Sequence, residues 1–272
     1  MTKIKKIPKV SILIANYNGQ NYVKRCIKSC LNQTYDNVEV IFVDDNSTDN
    51  SSKIAKKFKK IKFYQKKKSK KNKTYFNTKN QIETYKYAFK KSRGDYIFFL
   101  DSDDFFLKSK VKEIVNLFLE NKELSIIFDH PIIFFSNKKK YKKKFINFLR
   151  NKNWPNFPPQ SCISIKRKFL TKIFSHIDSN KFNLLTLDFR LASYSYSVYE
   201  NFYITDKYLT YYYQNLFGES FIKFKKFSIN WWQRRLQAHK YINQIAKSKK
   251  FKLSLDYFLT KITVILINIF KK

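Results

Sequence analysis

Carboxylates are scarce in this chain, 20 against 56 lysines and arginines, yet two groups of them stand close together. Asp44 and Asp45 follow the mainly apolar segment 38–43, and Asp101, Asp103 and Asp104 surround Ser102 directly after the apolar run 96–100. Three acids in four positions repel one another unless a cation neutralises them. The aspartate–any–aspartate spacing of Asp101 and Asp103 suits Mg2+ or Mn2+, hard cations bound by one or two carboxylates plus substrate phosphates. Such an ion offsets the charge that builds on a departing diphosphate. The chain has three glycines and neither a GxGxxG nor a P-loop. Hydride transfer on a dinucleotide and P-loop phosphoryl transfer are therefore not expected.

Short unbroken apolar runs read as strands buried on both faces of a sheet. The run 96–100 is of this kind, and further strands are read at 10–14, 38–43 and, shorter, 61–64. Between those at 10–14 and 38–43, Val23, Ile27, Cys30 and Leu31 recur at helical spacing. Ile54 and Phe58 continue a second helix behind the cap-rich residues 44–49, and Ile82, Tyr85, Ala88 and Phe89 mark a third over 81–92. This alternation predicts a doubly wound α/β unit with a parallel sheet, whose carboxyl edge collects both acidic groups. Residues 66–73 read as a solvated lysine loop. Further on, the pattern gives a helix at 111–119, strands at 124–128 and 132–135, an extended stretch at 154–159 and a helix at 184–195. A strand, the tyrosine-rich run 208–213 and a tail of basic and apolar helical segments complete the chain.

The formal charge of +36 would suit nucleic acid or an anionic membrane. Lysine, asparagine, isoleucine, phenylalanine and tyrosine are abundant throughout, so the skew reads as a compositional bias, and no nucleic-acid motif accompanies it. Cys26, Cys30 and Cys162 lack clustered partners for zinc and read as free thiols of a reducing cytosol. The basic leader precedes only five apolar residues, so no signal peptide is expected. No window reaches the roughly 18 apolar residues of a membrane span. The apolar run 262–270 and Trp231-Trp232 among basic residues suit a tail lying on a membrane or packed in a core.

Four ordered motifs carry a resemblance: VSILIANYN at 10–18, SCLNQTY at 29–35, VIFVDDNSTD at 40–49 and GDYIFFLDSDD at 94–104. Over residues 8–105 the chain resembles a family 2 glycosyltransferase of the GT-A fold, a Rossmann-like, doubly wound, mostly parallel sheet. The resemblance implies a nucleotide-sugar-binding α/β half at 1–105, a less regular acceptor-side half of the same domain at 106–222, and a helical tail at 223–272. It implies a nucleotide-diphospho-sugar donor, Mn2+ or Mg2+ as cofactor, inverting transfer to a glycan or lipid-linked acceptor in surface polysaccharide synthesis, and a cytoplasmic site, peripheral on the inner face of the membrane. Ala15, Tyr17, Asp44, Asp45 and Ser102 would contact the donor, and Asp101 and Asp103 would bind donor and metal. Lys86 would meet the diphosphate, although Lys86 and Ala88 stand where the family usually has Asn and Gly, and Ala15 where it often has Pro or Thr. A base must take the acceptor hydroxyl's proton. Residues 187–191 resemble the family's segment for it, which nominates Asp188, with Asp178 and Asp206 in reserve. Tyr211-Tyr212-Tyr213-Gln214 stands where relatives carry a Tyr-Arg motif, lacks the arginine, and reads as packing, as do His130, His176 and His239. Two other readings are a nucleotidyltransferase and a non-catalytic basic protein binding nucleic acid or membrane.

Overall fold

The computed structural model describes residues 7–66, 78–146, 155–215, 223–246 and 254–270. The expected lysine loop therefore lies outside the described residues except for Lys66, as does Trp154.

The first half alternates β1 (Val10–Asn16), α1 (Val23–Leu31), β2 (Val38–Asp44), α2 (Ser51–Lys56), β3 (Lys62–Gln65), α3 (Thr78–Lys91) and β4 (Tyr96–Asp101). β1 lies between β2 and β4 and pairs with both in parallel, and β3 extends the sheet beyond β2, also in parallel. Successive side chains of a strand point to opposite faces, and here both faces are apolar. Ile12, Ile14, Phe42 and Phe98 pack with α1 and α4 (Lys110–Glu120), while Leu13, Ile41, Val43, Ile97 and Phe99 pack with α3 and later helices. Burial on both faces explains why these strands read as continuous apolar runs.

The second half is mixed. Its elements are β5 (Phe105–Phe106), α4, β6 (Ile126–Phe134), β7 (Lys140–Lys142), a 3-10 turn (Gln160–Cys162), β8 (Ile163–Lys166), α5 (Arg167–His176), α6 (Leu187–Tyr199) and β9 (Tyr203–Tyr213). The path of the sheet is β3-β2-β1-β4-β8-β6-β9-β5, with β7 pairing β6. β8 is antiparallel to both β4 and β6 and joins the two halves into one sheet. The strands expected at 124–128 and 132–135 are one strand. Its register against β9 shifts on either side of His130, and β8 pairs it only to Phe128 while β7 begins at Ile132. Pro131 falls in that irregular stretch, where a missing N–H is tolerated. The tyrosine-rich run likewise belongs to the single strand β9. Two helices follow, α7 (Ile229–Ile245) and α8 (Leu255–Ile269). α7 docks on α6 through Ala238, Tyr241 and Ile242 against Leu185 and Phe189. Among the described residues no helix is long and apolar enough to cross a membrane.

Candidate active site

Parallel pairing puts the carboxyl ends of β1, β2 and β4 side by side. Ala15 stands opposite Val43 on one neighbour and Asp101 on the other, and Asn16 stands opposite Asp44. The adjacent acids of β2 then diverge. Asp44 is fully buried and accepts from the Asn16 amide at 2.8 Å and from the Ser47 N–H and hydroxyl at 3.0 and 2.6 Å. It braces the turn through these bonds. Asp45 is half-buried and ion-paired with Lys66 at 2.7 Å, so Lys66 is not a solvated lysine. The loops after β1 and β2 are laced together: the Asn18 N–H donates to Ser47 Oγ, and Asn18 Oδ1 accepts from the Thr48 N–H. Asn18 and Asn46 take the left-handed conformation that asparagine tolerates. Gly19 lets this loop lie flat on β4, because a Cβ there would come within 2.4 Å of Asn16 Oδ1 and 2.9 Å of Ser102 Oγ. Tyr17 is half exposed beside it, and Ser102 is buried.

Asp101 ends β4 and is gripped from α3. Gln81 Nε2 and Tyr85 OH both donate to its Oδ1, at 3.1 and 2.8 Å. Burial, helped by the charges of Asp103 and Asp188, outweighs those bonds and pushes its carboxyl up to about 7. Burial also raises Asp103, against the pull of Arg25. Arg25 donates to the Asp103 carbonyl at 3.0 Å and stacks over Phe105. Asp104 has no exposure; it accepts from the Ser161 hydroxyl and from the Tyr213 N–H at 2.7 Å, tying β4 to the 3-10 turn and to β9. Ser161 Oγ also accepts the Asp101 N–H at 3.0 Å.

The opposing wall comes from the second half. Burial and the charges of Asp104, Asp103, Asp101 and Asp188 push the Tyr212 phenol well up, which puts one hydroxyl in the field of four carboxylates. Tyr212 thus lies within electrostatic reach of the acidic cluster. Tyr22 lies against Tyr213 with ring centroids 4.9 Å apart, and its phenol is pushed up to about 12, chiefly by the hydrogen bond between the two. Asp188 stands in the first turn of α6, half-buried, and its charge acts on Asp101, Tyr212 and Arg234. It is not paired with Arg190, whose buried guanidinium donates instead to the carbonyls of Asp178, Lys181, Phe182 and Leu185. From α7, Arg234 reaches Thr186 Oγ1 at 3.3 Å.

Three candidates are not brought to the cluster. The Lys86 ammonium donates to the Ile177 carbonyl at 2.6 Å. Asp178 accepts from the Asn180 N–H in its own turn. Asp206 and the buried His130 line a separate cavity of about 300 Å3 with Lys144, near the start of β9.

Behind the site lies a buried ion pair. Lys110 and Asp129 are both fully buried, 2.6 Å apart, and the Lys110 ammonium also donates to the Ser161 carbonyl at 2.7 Å and to Thr210 Oγ1 at 2.6 Å. Thr210 in turn donates to Asp129. This network fixes Ser161, and through it Asp101 and Asp104. In a chain with 56 basic residues nothing marks Lys110 out.

Asp101 and Asp103 fit a divalent cation. They are oxygen donors, half-buried, and both pushed toward their neutral forms chiefly by burial. Among the described residues no three acid, histidine or cysteine side chains gather into a closed cage. Such a site would complete its coordination with substrate oxygens.

Residues 11–202 match the family described as glycosyl transferase family 2. An uncharacterised glycosyltransferase of Haemophilus influenzae is 38% identical over 117 residues, 42% of this chain and 44% of that protein. The chain thus spans less than half of this curated relative's length. Among solved structures, S. aureus TarS 1-349 in complex with UDP-GlcNAc superposes with a TM-score of 0.60 at 15% identity, covering 93% of this chain and 79% of that one. Mannosyltransferase PcManGT from Pyrobaculum calidifontis, in complex with GDP-Man and Mn2+, superposes with a TM-score of 0.56 at 13% identity, covering 91% and 66%. At these identities the structural likeness speaks for a shared GT-A-like fold. The family match, which extends over well more than half of the 272 residues, carries the assignment: the chain belongs to glycosyl transferase family 2.

Proposed function

We propose that this protein transfers a sugar, with inversion, from a nucleotide-diphospho-sugar to a hydroxyl of a glycan or lipid-linked acceptor, on the cytoplasmic side and in the synthesis of a surface polysaccharide. The observation that carries the reading is the meeting of Asp101 and Asp103 with Asp188, from opposite halves of the chain, at the carboxyl edge of one sheet. Residues 1–105 supply the donor side, 106–222 the acceptor side and 223–272 a tail. UDP- and GDP-sugars are the donor classes to test, being those bound by TarS and PcManGT.

In this reading Ala15 and Tyr17 flank the nucleobase, and Asp45 accepts one of its N–H groups in exchange for Lys66. Asp101 and Asp103 would hold Mn2+ or Mg2+, which when bound supplies positive charge beside the donor's phosphates. Gln81 and Tyr85 fix the Asp101 carboxylate so that it costs little to organise when the donor arrives. Asp188 takes the proton of the acceptor hydroxyl as that oxygen bonds to the anomeric carbon. The bond from that carbon to the diphosphate breaks, and the nucleoside diphosphate leaves with the electron pair. The Tyr212 hydroxyl faces the same acids and is placed to donate to a phosphate oxygen between them.

Thermal-shift measurements with UDP and GDP, with and without Mn2+, test the donor side. A ligand that binds the folded state raises its melting temperature, by about 2.7 kcal/mol of stabilisation at a hundredfold excess over Kd. The expected result is a metal-dependent shift with one nucleotide that Asp103→Ala abolishes, together with loss of nucleotide-sugar turnover. Full turnover in that variant would sink the metal assignment.

A further inference from the structure

We propose that the exposed apolar face of α8 seats the protein on an anionic lipid surface. Phe258, Leu259, Ile262, Ile265, Leu266 and Ile269 recur at helical spacing, and each is about half exposed or more. The other side of the helix, through Thr260 and Val264, is buried. A soluble helix normally turns its apolar stripe inward; this one turns a broad apolar stripe out. At 15 residues α8 measures about 22 Å, short of the roughly 30 Å of a hydrocarbon core. It is therefore suited to lie in the interface and not to cross it.

Charge decides between a bilayer and a second copy of the chain. Residues 223–272 contain thirteen lysines and arginines and one acid, Asp256. That acid is neutralised by Arg235, which donates from Nη2 to both carboxylate oxygens at 2.6 Å. The segment around the stripe thus offers anionic headgroups almost unopposed positive charge. Apposing two copies would bring together two chains of +36 each. Apolar insertion plus basic flanks is the pairing of signals that stable interfacial binding requires.

The test uses the full chain and vesicles of phosphatidylcholine with or without phosphatidylglycerol. Cys26, Cys30 and Cys162 are buried, so an environment-sensitive fluorophore attached through Leu259→Cys reports on α8 alone. The expected result is a blue shift on anionic vesicles that weakens with salt, and co-sedimentation that Ile262→Glu with Ile265→Glu lowers by about tenfold or more. Should the double variant fail to fold, the labelled chain still decides. Absence of the blue shift on anionic vesicles overturns the proposal. So does unchanged sedimentation of the folded double variant, or a dimer in light scattering that the same substitutions dissolve.

Discussion

Lys110→Met removes the cation from a fully buried pair and leaves the volume nearly filled. Asp129 then keeps the Thr210 hydroxyl but loses its only ion-pair partner among the described residues, 2.6 Å away and without exposure on either side. Breaking a buried pair by removing one partner costs about 3–5 kcal/mol, because the remaining charge is stranded. For a chain of this size that corresponds to a fall of roughly 10 °C in melting temperature. The pH dependence has a definite sign. Burial already raises the Asp129 carboxyl even with Lys110 present. A group raised in the folded state binds its proton more readily there than in the unfolded chain, so it favours folding at low pH and opposes it as pH rises. The deficit of the variant should accordingly shrink between pH 7.5 and pH 5. Adding Asp129→Leu removes the stranded charge and should recover most of the loss. Urea unfolding of wild type, single and double variants at the two pH values is the assay. A single variant within about 1 kcal/mol of wild type, or a double variant no better than the single, would refute the argument.

Ser161→Ala removes the hydroxyl shared by the Asp101 N–H and Asp104 and should cost about 1–3 kcal/mol; nucleotide affinity by calorimetry should fall with it. Gly94→Ala would put a Cβ 2.5 Å from the Ser11 backbone nitrogen and 2.8 Å from the Val10 carbonyl carbon, against backbone that cannot yield; denaturant titration should find it destabilised by more than about 2 kcal/mol. Burial alone would raise Glu39, but bonds from Lys62, Ser11 and the Arg93 N–H hold it down at about 2. A depressed carboxyl stabilises the fold above its unfolded value near 4.5 and loses that contribution as pH falls toward 2. Glu39→Gln should therefore cost about 3 kcal/mol at pH 7 and much less at pH 2.5 by thermal melts.

The first half was legible because its physics is repetitive. Strands buried on both faces must be mainly apolar, and the carboxyl ends of parallel strands share one edge of the sheet. The second half was less legible for equally physical reasons. β6 runs on through Pro131 because β9 pairs with it there, a continuity that two separate strands at 124–128 and 132–135 did not express. β8 is four residues long, and its Ser164 is fully buried, so polarity misreported its environment. Tyr212 was hidden among 19 tyrosines and Lys110 among 56 basic residues. Where a residue type is everywhere, identity says little and only position informs. Asp44 and Lys86 show something identity does not tell: each, chemically suited to a donor contact, is already hydrogen-bonded within the fold.

β9 has one consequence of a different kind. β5 covers its outer side only at Thr210 and Tyr211, and no other described strand pairs with that side. From Tyr203 to Tyr208 no described strand pairs with this side of β9. Asp206 and Lys207 sit at the middle of that stretch, and Lys207 is anchored to Glu113 of α4. Adjacent opposite charges on a bare edge make it a poor template for another chain. Charged side chains of this kind on a strand without an outer partner disfavour pairing with a further strand.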